Sequence, residues 1–273
     1  MNVNGGPEQG PIVILGGTAE ARALASTLVG SGMSVVSSLA GRVSEPKLPA
    51  GEVRIGGFGG AAGLATWLES GRVAGVVDAT HPFAERISAS AVTAADAAGV
   101  PLLRLERPGW KEADGEAWTW AESLEDAARM VEGPGRRVFL TTGRQGLAAF
   151  ARVTTSSFLI RCVDPPEPPL PPRAEVLLDR GPYTVGGELE LMRAHRIDLL
   201  VTKDSGGTMT AAKLEAARRL GVPVIVVRRP SRPDAPTVET VDDAVRWVRS
   251  LRPAATELNE HDEQQETRTH AQP

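Results

Sequence analysis

The stretch Ile12-Val13-Ile14-Leu15-Gly16-Gly17-Thr18-Ala19-Glu20-Ala21-Arg22 decides the fold. A short aliphatic run passes through two glycines into an alanine-rich segment, which reads as a strand feeding a helix capped by Thr18. At such a junction backbone N–H groups and the helix dipole converge on one point, where a phosphate is well held. The spacing is not the full dinucleotide fingerprint, because no third glycine occupies the usual helix position. On these residues alone, anion binding and a plain strand–helix turn both stay open.

The end of the second strand, Met33-Ser34-Val35-Val36-Ser37-Ser38-Leu39 with Ala40-Gly41-Arg42 beyond it, narrows the choice. An NAD site usually places an acid here to grip the ribose hydroxyls. This stretch has Ser37, Ser38 and Arg42 and no acid. Hydroxyls and a guanidinium suit a ribose phosphate, which an acid would repel. A dinucleotide bound here is therefore expected to be NADPH; the rival reading makes Arg42 a solvated loop residue.

The surrounding chain has 273 residues, 41% of them hydrophobic, enough for two modest domains. A net charge of −4 with interspersed acids and bases argues against a nucleic-acid groove. Neither a signal-peptide pattern nor a membrane-length apolar run is legible, so a cytoplasmic protein without a membrane partner is expected. Cys162 is the only cysteine, which excludes an internal disulfide and a thiolate metal cluster, and no histidine pair has metal-ligand spacing. No metal site is predicted.

Outward from residue 11 the chain alternates strand and helix: strands at 12–15, 33–39, 53–55, 73–77 and 101–105, helices at 18–30, 61–69 and 84–98. Continuous apolar runs such as Val73-Ala74-Gly75-Val76-Val77 suit a parallel sheet covered on both faces. Residues 108–123, with Arg107-Pro108-Gly109-Trp110 at their start, break the rhythm and read as a linker or crossover. A second alternation follows, with strands at 137–141, 156–162, 175–178, 198–202 and 223–227 and helices at 143–151, 184–194, 210–219 and 240–251. The expected fold class is α/β, two Rossmann-like domains with mainly parallel sheets and an interdomain active-site cleft. The division expected is a flexible N-terminus over 1–10, a cofactor-binding domain over 11–107, a substrate-binding domain over 124–252 and a disordered tail over 253–273.

Three polar loops fall just past strands, where open sheets present functional groups. In Asp78-Ala79-Thr80-His81-Pro82-Phe83-Ala84-Glu85, Asp78 and Thr80 organise the turn and Pro82 starts a helix, leaving His81 on an exposed rim as a hydrogen-bond or proton donor. The rival is a capped turn in which His81 only fixes the loop. In Thr141-Thr142-Gly143-Arg144-Gln145-Gly146, free amides, hydroxyls and Arg144 form an anion cradle, against simple capping by Thr142. In Val201-Thr202-Lys203-Asp204-Ser205-Gly206-Gly207, the strand delivers Lys203, Asp204 and Ser205 to the rim and the glycines allow close backbone approach. Thr210 is expected to cap the next helix and Lys213 to point back toward Lys203. It is no Walker loop, because the lysine precedes the glycines. Tyr183, the one phenol, shapes a pocket or anchors a helix.

Taken in order, Leu15 to Arg22, Ser38 to Arg42, Gly56-Gly57-Phe58-Gly59, Asp78 to Ala84, Gly181-Pro182-Tyr183 and Lys203 to Gly207 with Lys213 resemble the precorrin-6A reductase family of cobalamin biosynthesis, over residues 11–252. That family includes cobalt-precorrin-6A reductases. The resemblance implies NADPH-dependent reduction of a macrocycle double bond, precorrin-6A to precorrin-6B, with no metal or flavin required. It assigns Gly16, Gly17, Thr18, Ser38, Leu39, Gly41 and Arg42 to the cofactor. Asp78, Thr80, His81, Arg144, Tyr183, Lys203, Asp204, Ser205, Gly206 and Lys213 fall to the carboxylate-rich substrate, with His81, Lys203 and Asp204 nearest the chemistry. A monomer or weak homodimer is expected. The alternatives are the cobalt-containing substrate, a non-catalytic tetrapyrrole- or nucleotide-binding protein, and an enzyme acting on another polyanion.

Overall fold

Two parallel six-stranded sheets are built to one plan. The computed structural model describes residues 10–41, 47–112 and 118–251. The first sheet contains β1 (Ile12–Leu15), β2 (Val35–Leu39), β3 (Glu52–Ile55), β4 (Gly75–Asp78) and β5 (Leu102–Leu105), with helices α1 (Ala19–Gly30), α2 (Gly60–Ser70) and α3 (Glu85–Ala98) in its crossovers. The chain then forms β6 (Trp118–Ala121), α4 (Leu124–Met130), β7 (Arg137–Leu140), a 3-10 helix (Arg144–Phe150), β8 (Ser157–Cys162), β9 (Ala174–Leu178), α5 (Val185–Ala194), β10 (Leu199–Lys203), α6 (Ala212–Leu220), β11 (Val224–Val227), β12 (Thr237–Val238) and α7 (Val241–Ser250).

The order across the first sheet is β12-β5-β4-β1-β2-β3, and across the second β6-β11-β10-β7-β8-β9. Read from the far edge, each is the 3-2-1-4-5-6 arrangement that leaves a crevice where strand order reverses beside the first strand. The sixth strand of the first sheet, β12, comes from beyond the second sheet, whereas the second sheet is built from β6 to β11, which are consecutive in the chain. β12 pairs in parallel with β5, Thr237 opposite Arg104, while β6 pairs with β11, Trp118 opposite Val224.

This return of the C-terminal segment redraws the division read from the sequence. Residues 118–121 are a strand of the second sheet, not part of a linker. The helix near 240–251 packs with α1 and β5 on the first sheet instead of closing the second domain. The 3-10 helix replaces the α-helix expected at 143–151, and α4 was not foreseen; Ser123 caps it by accepting from Asp126 N at 3.1 Å.

The strands fall on both sides of two cores as their period of two requires. Ile12 and Ile14 pack with Leu24 and Leu28 of α1 and Val245 and Val248 of α7, whereas Val13 and Leu15 pack with Leu64 and Leu68 of α2 and Ala91 and Ala94 of α3. In the second sheet Val138 and Leu140 face Leu147 and Phe150, while Phe139 faces Met192 and Leu214. Both faces being covered, the strands read as continuous apolar runs, and polar groups are left to the strand ends.

Candidate active site between the two sheets

The opening strand–glycine–helix junction is a cradle of main chain. Gly17 has φ +115°, and a Cβ there would meet nothing within 4 Å, so a ligand has unobstructed access to the backbone. Thr18 caps α1: its Oγ1 accepts from Ala21 N at 3.1 Å and donates to Ala79 O at 2.8 Å, tying this turn to the one after β4. Its hydroxyl is thereby committed to the protein, so of this junction's polar groups it is the main-chain amides at the start of α1 that are able to meet an anion. Gly16 N donates to Ser38 O at 2.9 Å, and a Cβ on Gly16 would lie 3.3 Å from Leu39 Cδ2, so the ends of β1 and β2 are held flush. Gly41 has φ +70°, and a Cβ there would lie 3.1 Å from Ile55 Cγ2. Arg42 lies outside the described residues.

After β4, the buried Asp78 carboxylate accepts from Thr80 N at 3.2 Å and Thr80 Oγ1 at 2.7 Å, and sits 3.7 Å from the Arg104 guanidinium. Asp78 and Thr80 therefore build the turn and are turned inward. His81 Nδ1 accepts from Phe83 N at 3.2 Å, which leaves Nε2 to carry the ring proton. Burial, and then the charges of Arg107, Lys203, Arg229 and Arg232, lower its pKa to about 3. The expectation that His81 delivers a proton near neutral pH is thus corrected: the ring is neutral there and offers only an N–H. Because its folded pKa is depressed below the ordinary 6.5, the unfolded chain binds the extra proton as pH falls from about 6.5 to 3, and stability drops over that window. Denaturation curves at pH values through the window should show a smaller acid loss for His81→Gln than for the parent; equal losses would remove His81 as the source.

From the second sheet, Lys203 closes β10 and extends across the gap, with Nζ 5.0 Å from the centre of the Phe83 ring. Burial lowers its pKa. The two turns nominated from the sequence, 78–85 and 203–207, are thus brought together across the two sheets. Asp204 is not free for chemistry: Oδ1 accepts from Trp110 N at 2.9 Å, and Oδ2 pairs with Arg229 Nε at 3.2 Å. Ser205 O accepts from Arg107 Nε at 2.6 Å. A Cβ on Gly206 would lie 2.2 Å from Pro108 O, and one on Gly207 2.9 Å from Arg107 Cδ. The close approach these glycines permit is therefore that of the crossing chain, not that of a ligand.

The remaining candidates stay within the second domain. Thr142 is buried without a hydroxyl partner among the described residues and does not cap; Gly143 holds the cap position of the 3-10 helix. Arg144 opens that helix and exerts its charge on the Cys162 thiol. Tyr183 Oη donates to Asp179 O at 3.1 Å, and its ring stacks on the Arg161 guanidinium at 3.7 Å. Lys213, expected to point toward Lys203, is buried; it donates to Thr210 O at 2.7 Å and lies 4.7 Å over Trp110. Ala211, not Thr210, occupies the cap of α6.

Sequence reasoning passed over the side chains that join the halves. Glu106, Arg107, Arg229 and Arg232 lie on the two segments that cross between the sheets. Arg229 bridges Glu106 at 2.6 Å and Asp204, Arg232 also pairs with Glu106, and Arg107 bonds Glu20 at 2.7 Å. The Arg-Pro-Gly-Trp run was the visible sign of them. Gly109 leaves room for the Asp204 carboxylate, whose Oδ2 would lie 2.5 Å from a Cβ there.

Similarity to known proteins shows the family to which this fold belongs. A family model described as precorrin-6x reductase CbiJ/CobK matches residues 11–249. The chain belongs to the precorrin-6x reductase family. Within it, the precorrin-6A reductase of Rhodococcus erythropolis is 54% identical over 244 residues, covering 88% of this chain and 98% of that protein. The cobalt-precorrin-6A reductase of Priestia megaterium is 28% identical, over 80% of this chain and 90% of that one. A solved structure titled CobK precorrin-6A reductase superposes with a TM-score of 0.85 at 42% identity, covering 89% of this chain and 97% of the other. Precorrin-6x reductases are oxidoreductases, and the two-sheet α/β architecture is that of this solved relative. Among the described residues no helix is long and apolar enough to cross a membrane, and no group of three or more metal-ligating side chains is present.

Proposed function

We propose that the chain reduces a ring double bond of precorrin-6A, giving precorrin-6B, at the expense of NADPH and in the cytoplasm. The observation that carries this reading is the meeting of three turns: Gly16–Thr18 tied to Ala79, His81–Phe83 beside it, and Lys203 reaching over Phe83 from the other sheet. The difference between 54% identity to a precorrin-6A reductase and 28% to a cobalt-precorrin-6A reductase favours the metal-free macrocycle.

A nicotinamide dinucleotide fits the residues present. The open, left-handed Gly17 and the first amides of α1 suit a pyrophosphate, and the β1/β4 order reversal leaves the crevice for it. When bound, the cofactor supplies the hydride. Residues Ser38 to Arg42, with no acid among them, would hold the ribose phosphate. His81 offers a neutral Nε2–H and Lys203 an ammonium toward the acidic groups of the macrocycle, so that the reacting carbon is held against the nicotinamide. The first sheet takes the cofactor and the second takes most of the substrate's acidic rim. Arg144 and Tyr183 lie on that second sheet's side.

Anaerobic mixing with precorrin-6A and NADPH should oxidise the nicotinamide and shift the macrocycle absorption. Failure with both precorrin-6A and its cobalt form overturns the reading, whereas binding of either ligand without oxidation favours a non-catalytic binding protein. Arg42→Ala should weaken NADPH by about 1.5–3 kcal/mol, the worth of a charge-assisted hydrogen bond, and leave NADH nearly unchanged. Equal weakening of both cofactors would make Arg42 structural.

A further inference from the structure

Arg107 joins the first turn of α1 to the loop that follows Lys203. Its NH1 pairs with Glu20 Oε2 at 2.7 Å, and its Nε donates to Ser205 O at 2.6 Å. Glu20 is in the first turn of α1, the helix whose N-terminus forms the opening cradle. Ser205 is two residues beyond Lys203 on the opposing sheet. The contact is tight along the arginine's stem as well as at its head: Gly207, at φ +74°, would put a Cβ 2.9 Å from Arg107 Cδ. Both charged partners are largely sheltered, 17% exposed for Arg107 and 25% for Glu20.

A carboxylate in the first turn of a helix is favourable in the empty protein, because it answers the positive end of the dipole. Beside a pyrophosphate bound at that same end it is repulsive, unless a cation compensates it. Arg107 is that cation, and its second hydrogen bond fixes the Lys203 loop relative to the cradle.

We propose that Arg107 is a positioning residue for hydride transfer: it neutralises Glu20 beside the cofactor phosphates and sets the distance between the cofactor and the Lys203 loop. This rests on the reading that the cofactor occupies the Gly16–Thr18 cradle. Two separable duties follow, one on cofactor affinity and one on turnover.

Four proteins test it: Arg107→Met, Arg107→Lys, Glu20→Gln and the double variant Arg107→Met with Glu20→Gln. In Arg107→Met the Kd for NADPH should rise about three- to tenfold, the size of an unscreened charge at this depth. Its kcat should fall about 10- to 100-fold, the scale of a misplacement near 1 Å. The double variant should recover the parent's Kd while kcat stays low, because Ser205 O is still unheld. Arg107→Lys keeps the charge beside Glu20 without the two-armed reach, so it should hold the Kd and lose part of kcat. If Arg107→Met turns over like the parent, or if adding Glu20→Gln restores both constants, the positioning role is wrong.

Hydrogen exchange of the 203–209 segment in ligand-free protein supplies a readout independent of turnover. Exchange should quicken in Arg107→Met and in the double variant, and stay at the parent's rate in Glu20→Gln. Unchanged exchange overturns the proposal whatever the activities are. A parent protein that binds no NADPH refutes the cofactor reading instead, and the exchange result still decides whether Arg107 holds the loop. Arg107→Lys carries the same comparison if the methionine variant fails to fold.

Discussion

Glu188→Ala is expected to cost about 3–5 kcal/mol of stability, the usual penalty for stranding one member of a buried ion pair. Glu188 and Arg161 pair at 2.7 Å with side chains 1% and 6% exposed. The guanidinium is held between the rings of Phe139 and Tyr183, at 4.9 and 3.7 Å, so it has no route to water when its acid is removed. Lys213 shares the cluster: burial and then Arg161 lower its pKa to about 7, against the opposing pull of Glu188. Removing Glu188 therefore lowers that pKa further and leaves two cations without an acid. The loss should be larger below pH ~7, where Lys213 is charged in the parent, and smaller above it, where deprotonation has already removed one cation. Denaturant midpoints on either side of that pH give the measurement. Arg161→Met combined with Glu188→Leu should recover most of the loss, because burying neither charge avoids both desolvation costs. A loss below about 1 kcal/mol for Glu188→Ala alone would mean that water reaches the pair.

The second large effect belongs to Gly206→Ala, at about 2–5 kcal/mol. Two terms contribute: a left-handed backbone at φ +63°, worth roughly 1–2 kcal/mol for a residue with a Cβ, and overpacking of about 1–3 kcal/mol. The clash is with main chain, 2.2 Å from Pro108 O, and with Arg229 NH2 at 2.8 Å, so no side-chain rotation relieves it. Gly135→Ala is the matched control: its φ is +77° and a Cβ there meets nothing within 4 Å, so only the backbone term remains. Gly206→Ala should also depress reductase turnover, since relief of the clash moves the segment that carries Lys203. Equal stability of the two variants would show that the crossing chain yields readily.

Much of the architecture was legible because local rules sufficed. The runs at β1, β4 and β11 are buried on both faces, and that is what makes a parallel strand visible as an unbroken aliphatic stretch. The three rim turns were found for a related reason: in an apolar strand the first polar residues mark its C-terminal end. What stayed hidden was long-range. Nothing within Thr237-Val238 tells that these residues pair with Arg104-Leu105, because a two-residue edge strand has no period to read. Likewise Trp118 to Ala121 looks like a linker until its partner β11 is known. The surroundings of Asp204, Gly206 and Lys213 stay hidden on the same ground. Each is polar or small beside a strand end, which fits ligand contact, yet each is occupied by Trp110, Pro108 or Thr210, and that is a fact of the crossing and not of the motif. The sequence reads His81 as lying on an exposed rim, but its lowered pKa comes first from burial and then from arginines of the crossing segments and Lys203 of the other sheet, none of which its own motif encodes.

The late edge strand β12 also bears on how the chain is made. A ribosome delivers β1 to β5 first, and the open edge of β5 then has no mate until Thr237 and Val238 emerge, after the whole of the second sheet. A nascent sheet with an unpaired edge invites strands from other chains. The second sheet, whose strands are consecutive, can close before the first, so the emergence of β12, and not completion of β1 to β5, marks the moment at which the first sheet loses its open edge.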